Sequence, residues 1–214
     1  TLDNMTITNN EGCCGGAGIW TNGNYCTWTM TNSIIDGNYG DWGGGDYRDI
    51  MTGVDALIDR GIADPDRMGV MGWSYGGYMT SWVITQTTRF KAASVGAGLP
   101  NLMSFSGTAD VPDFIPDYFG GEFWEVPEAW QSHSALFNIQ GVSTPTLIQH
   151  GEEDIRVPVS QAYELRNALS RQNVEVTMVV YPRQPHGIRE PKLQLDAMHR
   201  NLDWFDRWVM GRTP

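Results

Sequence analysis

A hexapeptide, Gly72-Trp73-Ser74-Tyr75-Gly76-Gly77, sits between a short apolar run, Met68 to Gly72, and a helical stretch carrying Tyr78, Met79, Trp82 and Val83. Few folds accommodate such a junction. A strand that turns at once into a helix packs closely against it, so the positions flanking the turn must lack side chains, and glycine meets that demand. The serine between them is then thrust outward, the geometry of a nucleophile elbow. Strand and helix alternate around this unit. Ile50, Val54, Leu57 and Ile58 mark one face of a helix that ends near Gly61, Asp64-Pro65-Asp66 makes a turn, and Ala92 to Val95 suits a strand. Later come a strand at Thr146 to Gln149, a helix from Val159 to Arg171 with Ala162, Leu165 and Leu169 inward, and a β-branched strand from Val174 to Tyr181. A last helix runs from Pro191 to Val209, with Leu195, Met198, Leu202, Phe205 and Val209 as its expected buried stripe. The class is therefore α/β, with a parallel sheet flanked by helices and its chemistry beyond the carboxyl ends of the strands.

Two kinds of segment are joined. Residues 1–35 hold only Asp3 and Glu11 as charged side chains and are rich in Thr, Asn and Gly, whereas 36–214 read as an ordinary charged globular domain. Ile19 to Thr21, Asn22-Gly23 and Tyr25 to Met30 spell a hairpin, because Asn-Gly accepts the positive φ angles of a type I′ turn. Residues 99–141, rich in Pro, Gly and aromatics, read as an insertion with one helix near Glu128 to Leu136; such insertions often cover sites. No apolar run approaches the roughly 18 residues of a membrane span. A net charge of −11, from 14 basic and 25 acidic residues, repels phosphate backbones and anionic headgroups, so neither nucleic acid nor a membrane surface is expected as partner. Cys13, Cys14 and Cys26 form no disulfide framework and match no common zinc spacing. A reducing, cytoplasmic setting with no metal or cofactor is expected, and no basic residue before Arg48 supplies the start of a secretory or transit signal.

A serine hydroxyl is a weak nucleophile and needs a base, itself held by an acid. Of the four histidines, His199 lies beside the expected buried stripe of the last helix and reads as partly buried and structural. His150 ends a strand, where packing or a backbone hydrogen bond is its expected task. His133 falls near the helix of the insertion. His186, between Pro185 and Gly187 in the loop after Tyr181, is best placed to face Ser74, with an exposed loop histidine as the alternative. The acid is expected between serine and histidine in chain order. Gly151-Glu152-Glu153-Asp154 follows a strand, and Asp154 is its preferred member, against the alternative of a solvated acidic loop. Serine, acid and base each follow a separate strand at one edge of the implied sheet.

From about residue 38 onward the chain resembles the catalytic domain of the prolyl oligopeptidase family, in its dipeptidyl and acylaminoacyl peptidase branch. The resemblance rests on Asn38-Tyr39-Gly40-Asp41-Trp42-Gly43-Gly44-Gly45-Asp46, on Asp64-Pro65-Asp66-Arg67, on the elbow, on Gly151-Glu152-Glu153-Asp154-Ile155-Arg156-Val157-Pro158 and on Pro185-His186-Gly187. It implies an α/β-hydrolase fold with Ser74 as nucleophile, Asp154 as orienting acid and His186 as general base. It further implies that Arg156 holds a substrate carbonyl and that Val157 lines the primary pocket. The backbone N–H of Tyr75, directly after the nucleophile, is the expected oxyanion donor. The implied activity is acyl transfer on short peptide, acylaminoacyl or small ester substrates, through an acyl-enzyme and without a cofactor.

Two features of the family find no counterpart in these 214 residues and are expected to be absent: the N-terminal β-propeller, and the early strands with an H-G-G-P loop near a second oxyanion donor. The domain is thus expected to be truncated at its N-terminal strands. Loss of one oxyanion donor typically costs on the order of 10² to 10³ in rate, so weak activity is expected. A carboxylesterase acting on short acyl esters is the close rival. A catalytically silent fragment that binds a partner, or a second copy of itself through an exposed sheet edge, is the alternative of another class.

Overall fold

The computed structural model describes residues 17–21 and 42–212. In chain order the elements are β1 (Ala17–Thr21), α1 (Gly45–Asp59), β2 (Met68–Trp73), α2 (Tyr75–Gln86), β3 (Ala92–Gly96), α3 (Leu102–Thr108), α4 (Phe114–Phe119) and α5 (Pro127–Ser132). A 3-10 turn at Ala135–Asn138 then leads to β4 (Thr146–Gly151), α6 (Ser160–Arg171), β5 (Val176–Tyr181) and α7 (Pro191–Trp208). The sheet has the order β1-β2-β3-β4-β5. Strands β2 to β5 are parallel, with Val70 opposite Ala93 and Ile148 opposite Met178, whereas β1 pairs antiparallel with β2. The parallel, helix-flanked architecture expected from the alternating pattern is present. Of the expected hairpin, Ile19 to Thr21 falls in β1; the Asn22-Gly23 turn, the second arm, the three cysteines and the boundary near residue 35 lie outside the described residues.

Each parallel strand serves two cores because successive side chains point to opposite faces. Val70, Val95, Ile148 and Met178 pack on one side with Val54 of α1, much of α2, and Ala162, Leu165 and Leu169 of α6. Met71, Ala92, Leu147 and Val179 pack on the other with Trp204, Phe205 and Val209 at the end of the chain. Both faces are covered, which is why these strands read as continuous apolar runs without alternation.

Helix α7 departs from expectation. Leu195, Met198 and Leu202 are 52%, 62% and 50% exposed, and His199 is also exposed, not partly buried. Phe205 and Val209 are buried as expected, and the face on the sheet also takes in Asn201, Trp204 and Trp208. Asn201 Oδ1 accepts hydrogen bonds from Ser94 Oγ (2.6 Å) and Gln149 Nε2 (3.0 Å). A polar residue within the contact hides this face from a reading of apolar spacing, and the stripe holds only in the last turns of the helix.

The insertion is also more helical than its composition suggested. Helix α5, of six residues, stands where one helix was expected near Glu128 to Leu136, and α3 and α4, of seven and six residues, are additional. Elements this short make barely two turns and show no stripe to read. Asn101 caps α3, its side chain accepting from Ser104 N, and Pro127 stands in the first turn of α5. Among the described residues no helix is long and apolar enough to cross a membrane.

Candidate active site

The hexapeptide folds as its glycines require. Strand β2 ends at Trp73, α2 begins at Tyr75, and Ser74 between them holds φ 61° and ψ −120°. A side-chain-bearing residue at such a φ is strained by on the order of 1–3 kcal/mol, a cost that persists only where the surroundings enforce it. Here they do. Ser74 N donates to Gly96 O at 2.9 Å, and Ser74 O accepts from Tyr78 N at 2.9 Å as the first bond of the helix. A Cβ on Gly72 would lie 2.3 Å from the carbonyl oxygen of Gly76, and one on Gly77 2.3 Å from that of Gly96. No other residue type fits at either position.

Strands β4 and β5 deliver the other two groups in loops at the same end of the sheet. His186 Nε2 stands 2.8 Å from Ser74 Oγ, and His186 Nδ1 stands 2.8 Å from Asp154 Oδ2. Asp154 Oδ1 accepts the backbone N–H groups of Arg156 (3.0 Å) and Val157 (2.9 Å). The acid's side chain is fully buried, while that of His186 is 30% exposed. Burial pushes the Asp154 carboxyl upward, but hydrogen bonds from His150, His186 and the Val157 amide outweigh it and bring the pKa down to about 2. Asp154 is therefore ionised at neutral pH and must accept from His186. That places the proton on Nδ1 and leaves the Nε2 lone pair facing the serine hydroxyl.

The base loop is tied down from two directions. The Trp73 indole N–H donates to His186 O at 2.7 Å, so the residue before the nucleophile holds the residue that serves it. Gln184, buried in the loop, accepts from Arg189 N (2.8 Å) and Glu190 N (3.2 Å) and donates to Glu190 Oε1 (2.8 Å).

Tyr75 is the first residue of α2, so its N–H lacks an intrahelical partner and points with the positive end of a twelve-residue helix. Its phenol donates to the buried carboxylate of Asp46, and its ring packs edge-on against Trp42 with centroids 4.8 Å apart. Burial, then the Asp46 charge, push this phenol's pKa far up. Arg156 faces the insertion: its Nε lies 2.5 Å from Asp110 Oδ1, and Asp110 N donates to Ile155 O at 3.1 Å. Val157 is buried in the main core. His133 Nδ1–H donates to Ala129 O at 2.6 Å, and its carbonyl accepts from the Tyr78 phenol at 2.9 Å. His150, as expected, makes a backbone hydrogen bond, its Nε2–H donating to Val157 O at 2.7 Å; it also lies 3.4 Å from Asp154 Oδ2. Asp46, Asp110, Trp73 and Gln184 were not singled out by the sequence reading. Asp46 and Trp73 stand in segments that carried the resemblance, the Gly-rich stretch and the elbow, with no role assigned to either; Asp110 and Gln184 had no signal.

Comparison with known proteins places the chain in a family. Residues 35–212 match the prolyl oligopeptidase family. The chain is 39% identical over 173 residues to the uncharacterized peptidase YuxL of Bacillus subtilis (strain 168), covering 78% of this chain and 26% of that protein. It is 33% identical over 175 residues to the acylamino-acid-releasing enzyme of Arabidopsis thaliana, covering 78% and 23%. Among solved structures, the Pyrococcus horikoshii acylaminoacyl peptidase superposes with a TM-score of 0.76 at 27% identity, over 80% of this chain and 29% of that one. The chain thus spans about a quarter of the length of the relatives it matches.

Proposed function

This chain belongs to the prolyl oligopeptidase family, and we propose that it acts as a serine hydrolase on acylaminoacyl or short peptide bonds through an acyl-enzyme intermediate. The single observation that carries the reading is the unbroken chain of contacts from Asp154 Oδ2 through the His186 ring to Ser74 Oγ, each step 2.8 Å. In this reading Ser74 Oγ attacks the carbonyl carbon while its proton passes to His186 Nε2. The new imidazolium is stabilised by Asp154, and the carbonyl oxygen gains negative charge beside the Tyr75 N–H and the start of α2. His186 then gives the proton to the leaving amine as the carbon–nitrogen bond breaks. Water, losing a proton to the same nitrogen, releases the acyl group and restores the serine. Arg156 would bind a substrate carbonyl from its place beside Asp110, and Val157 would border the primary pocket.

The acylamino-acid-releasing enzyme and the acylaminoacyl peptidase among its relatives favour acylaminoacyl substrates. The first test is labelling of Ser74 by a fluorophosphonate probe, with Ser74→Ala as control, followed by turnover of N-acyl aminoacyl anilides and p-nitrophenyl esters. Stoichiometric labelling with anilide turnover is expected. Ester turnover without anilide turnover would make the protein an esterase, and absence of labelling would reject the hydrolase reading and favour the silent fragment.

A further inference from the structure

His150 is completely buried at the end of β4 and has no part in the mechanism above. Its contacts are nevertheless aimed at the acid. A carbonyl oxygen can only accept, so the 2.7 Å approach of His150 Nε2 to Val157 O places the proton on Nε2. Val157 is then held on both sides of its backbone: its carbonyl by His150, its N–H by Asp154 Oδ1 at 2.9 Å. The loop from 150 to 157 is closed by one side chain. The same nitrogen, Nε2, lies 3.4 Å from Asp154 Oδ2, the oxygen that accepts from His186 Nδ1. Two imidazoles thus converge on a single carboxylate oxygen.

Packing alone does not account for a histidine here. His150 Nδ1 is buried without a hydrogen-bond partner among the described residues, and a leucine would fill similar space without that unsatisfied atom. What leucine lacks is the donor. We propose that His150 is a positioning residue for the Ser74–His186–Asp154 arrangement: through Val157 O it sets the loop that aims the acid, and beside Oδ2 it supports the acid's anionic form. This rests on the hydrolase reading above and adds to it a second imidazole behind the acid.

The test compares His150→Leu, which removes the donor, with His150→Gln, whose amide nitrogen reaches the place of Nε2. Thermal melting verifies that both are folded. For H150L the fluorophosphonate labelling rate of Ser74 and kcat fall on the order of 10-fold or more, because a small misplacement of a positioned group carries that cost, while KM stays unchanged. H150Q recovers most of the rate. The downfield proton resonance of His186 Nδ1–H moves in H150L and returns in H150Q, a signature that simple loss of packing would not give. A wild-type labelling rate in H150L, or equal losses in the two variants, overturns the proposal. If H150L does not fold, His150→Gln is set against His150→Asn, whose shorter amide cannot meet Val157 O; equal rates in that pair overturn it as well. Failure of the unsubstituted chain to label would instead sink the hydrolase reading beneath it.

Discussion

Replacing Asp154 by Asn tests the candidate site most sharply, because it changes one atom and leaves the loop's backbone bonds available. The Asn carbonyl oxygen can take the place of Oδ1 and keep the N–H groups of Arg156 and Val157. The amide nitrogen must then face His186 Nδ1 at about the 2.8 Å now spanned by Oδ2. An amide N–H donates, so Nδ1 must accept, and the ring's proton moves to Nε2. There it points at Ser74 Oγ and blocks proton transfer from the hydroxyl. A wrong tautomer of this kind costs about 10⁴ in kcat, equivalent to roughly 5 kcal/mol at 1.36 kcal/mol per tenfold. The stability cost is much smaller. Lowering the acid from its ordinary value of 3.8 to about 2 corresponds to about 2 kcal/mol at neutral pH. The assay is kcat with an N-acyl aminoacyl anilide, alongside urea denaturation of both proteins. A D154N protein that keeps more than about a tenth of the wild-type kcat would refute the assignment of Asp154 as the orienting acid.

The same carboxylate sets an acid-side limit on stability. Its pKa is depressed in the folded state, so its contribution is complete above the unfolded value near 3.8 and disappears as pH falls towards about 2; urea midpoints measured from pH 5 to pH 2 should fall more steeply for the unsubstituted chain than for D154N. Gly77→Ala should abolish Ser74 labelling and destabilise the fold by about 1–3 kcal/mol or more, since the added Cβ meets Gly96 O at 2.3 Å; unchanged melting and labelling would contradict the elbow packing. On α7, Leu195→Gln and Met198→Gln should alter stability by less than about 0.5 kcal/mol, whereas Phe205→Ala should cost about 3–5 kcal/mol. Losses at Leu195 and Met198 as large as that at Phe205 would show that the helix is turned as its apolar spacing alone suggests.

Residues close together in the chain were legible in advance. The elbow could be read because its demands are local: the Gly72 backbone meets that of Gly76 four positions later, and Ser74 is forced to a positive φ within the same turn. The strands β2 to β5 were legible from their continuous apolar runs, and the places of Asp154 and His186 from the strand ends they follow. Local pattern failed where polar residues take part in long-range packing. Asn201 reads as outward-facing, yet Ser94 and Gln149, from two different strands, give it partners inside.

By itself, then, the amino-acid order determined the class of fold, the strained turn at Ser74 and which acid and imidazole were eligible to serve it, since each follows from hydrophobic period, glycine sterics or chain order. Only the tertiary structure decided the orientation of α7, the grip of Trp73 on the His186 loop, the Asp110–Arg156 contact and the approach of His150 to Asp154. The physical reason is one of range. Backbone preference and side-chain period act over a few residues, whereas a hydrogen bond between Trp73 and His186 joins atoms 113 positions apart, and nothing in either neighbourhood encodes the distance that folding leaves between them.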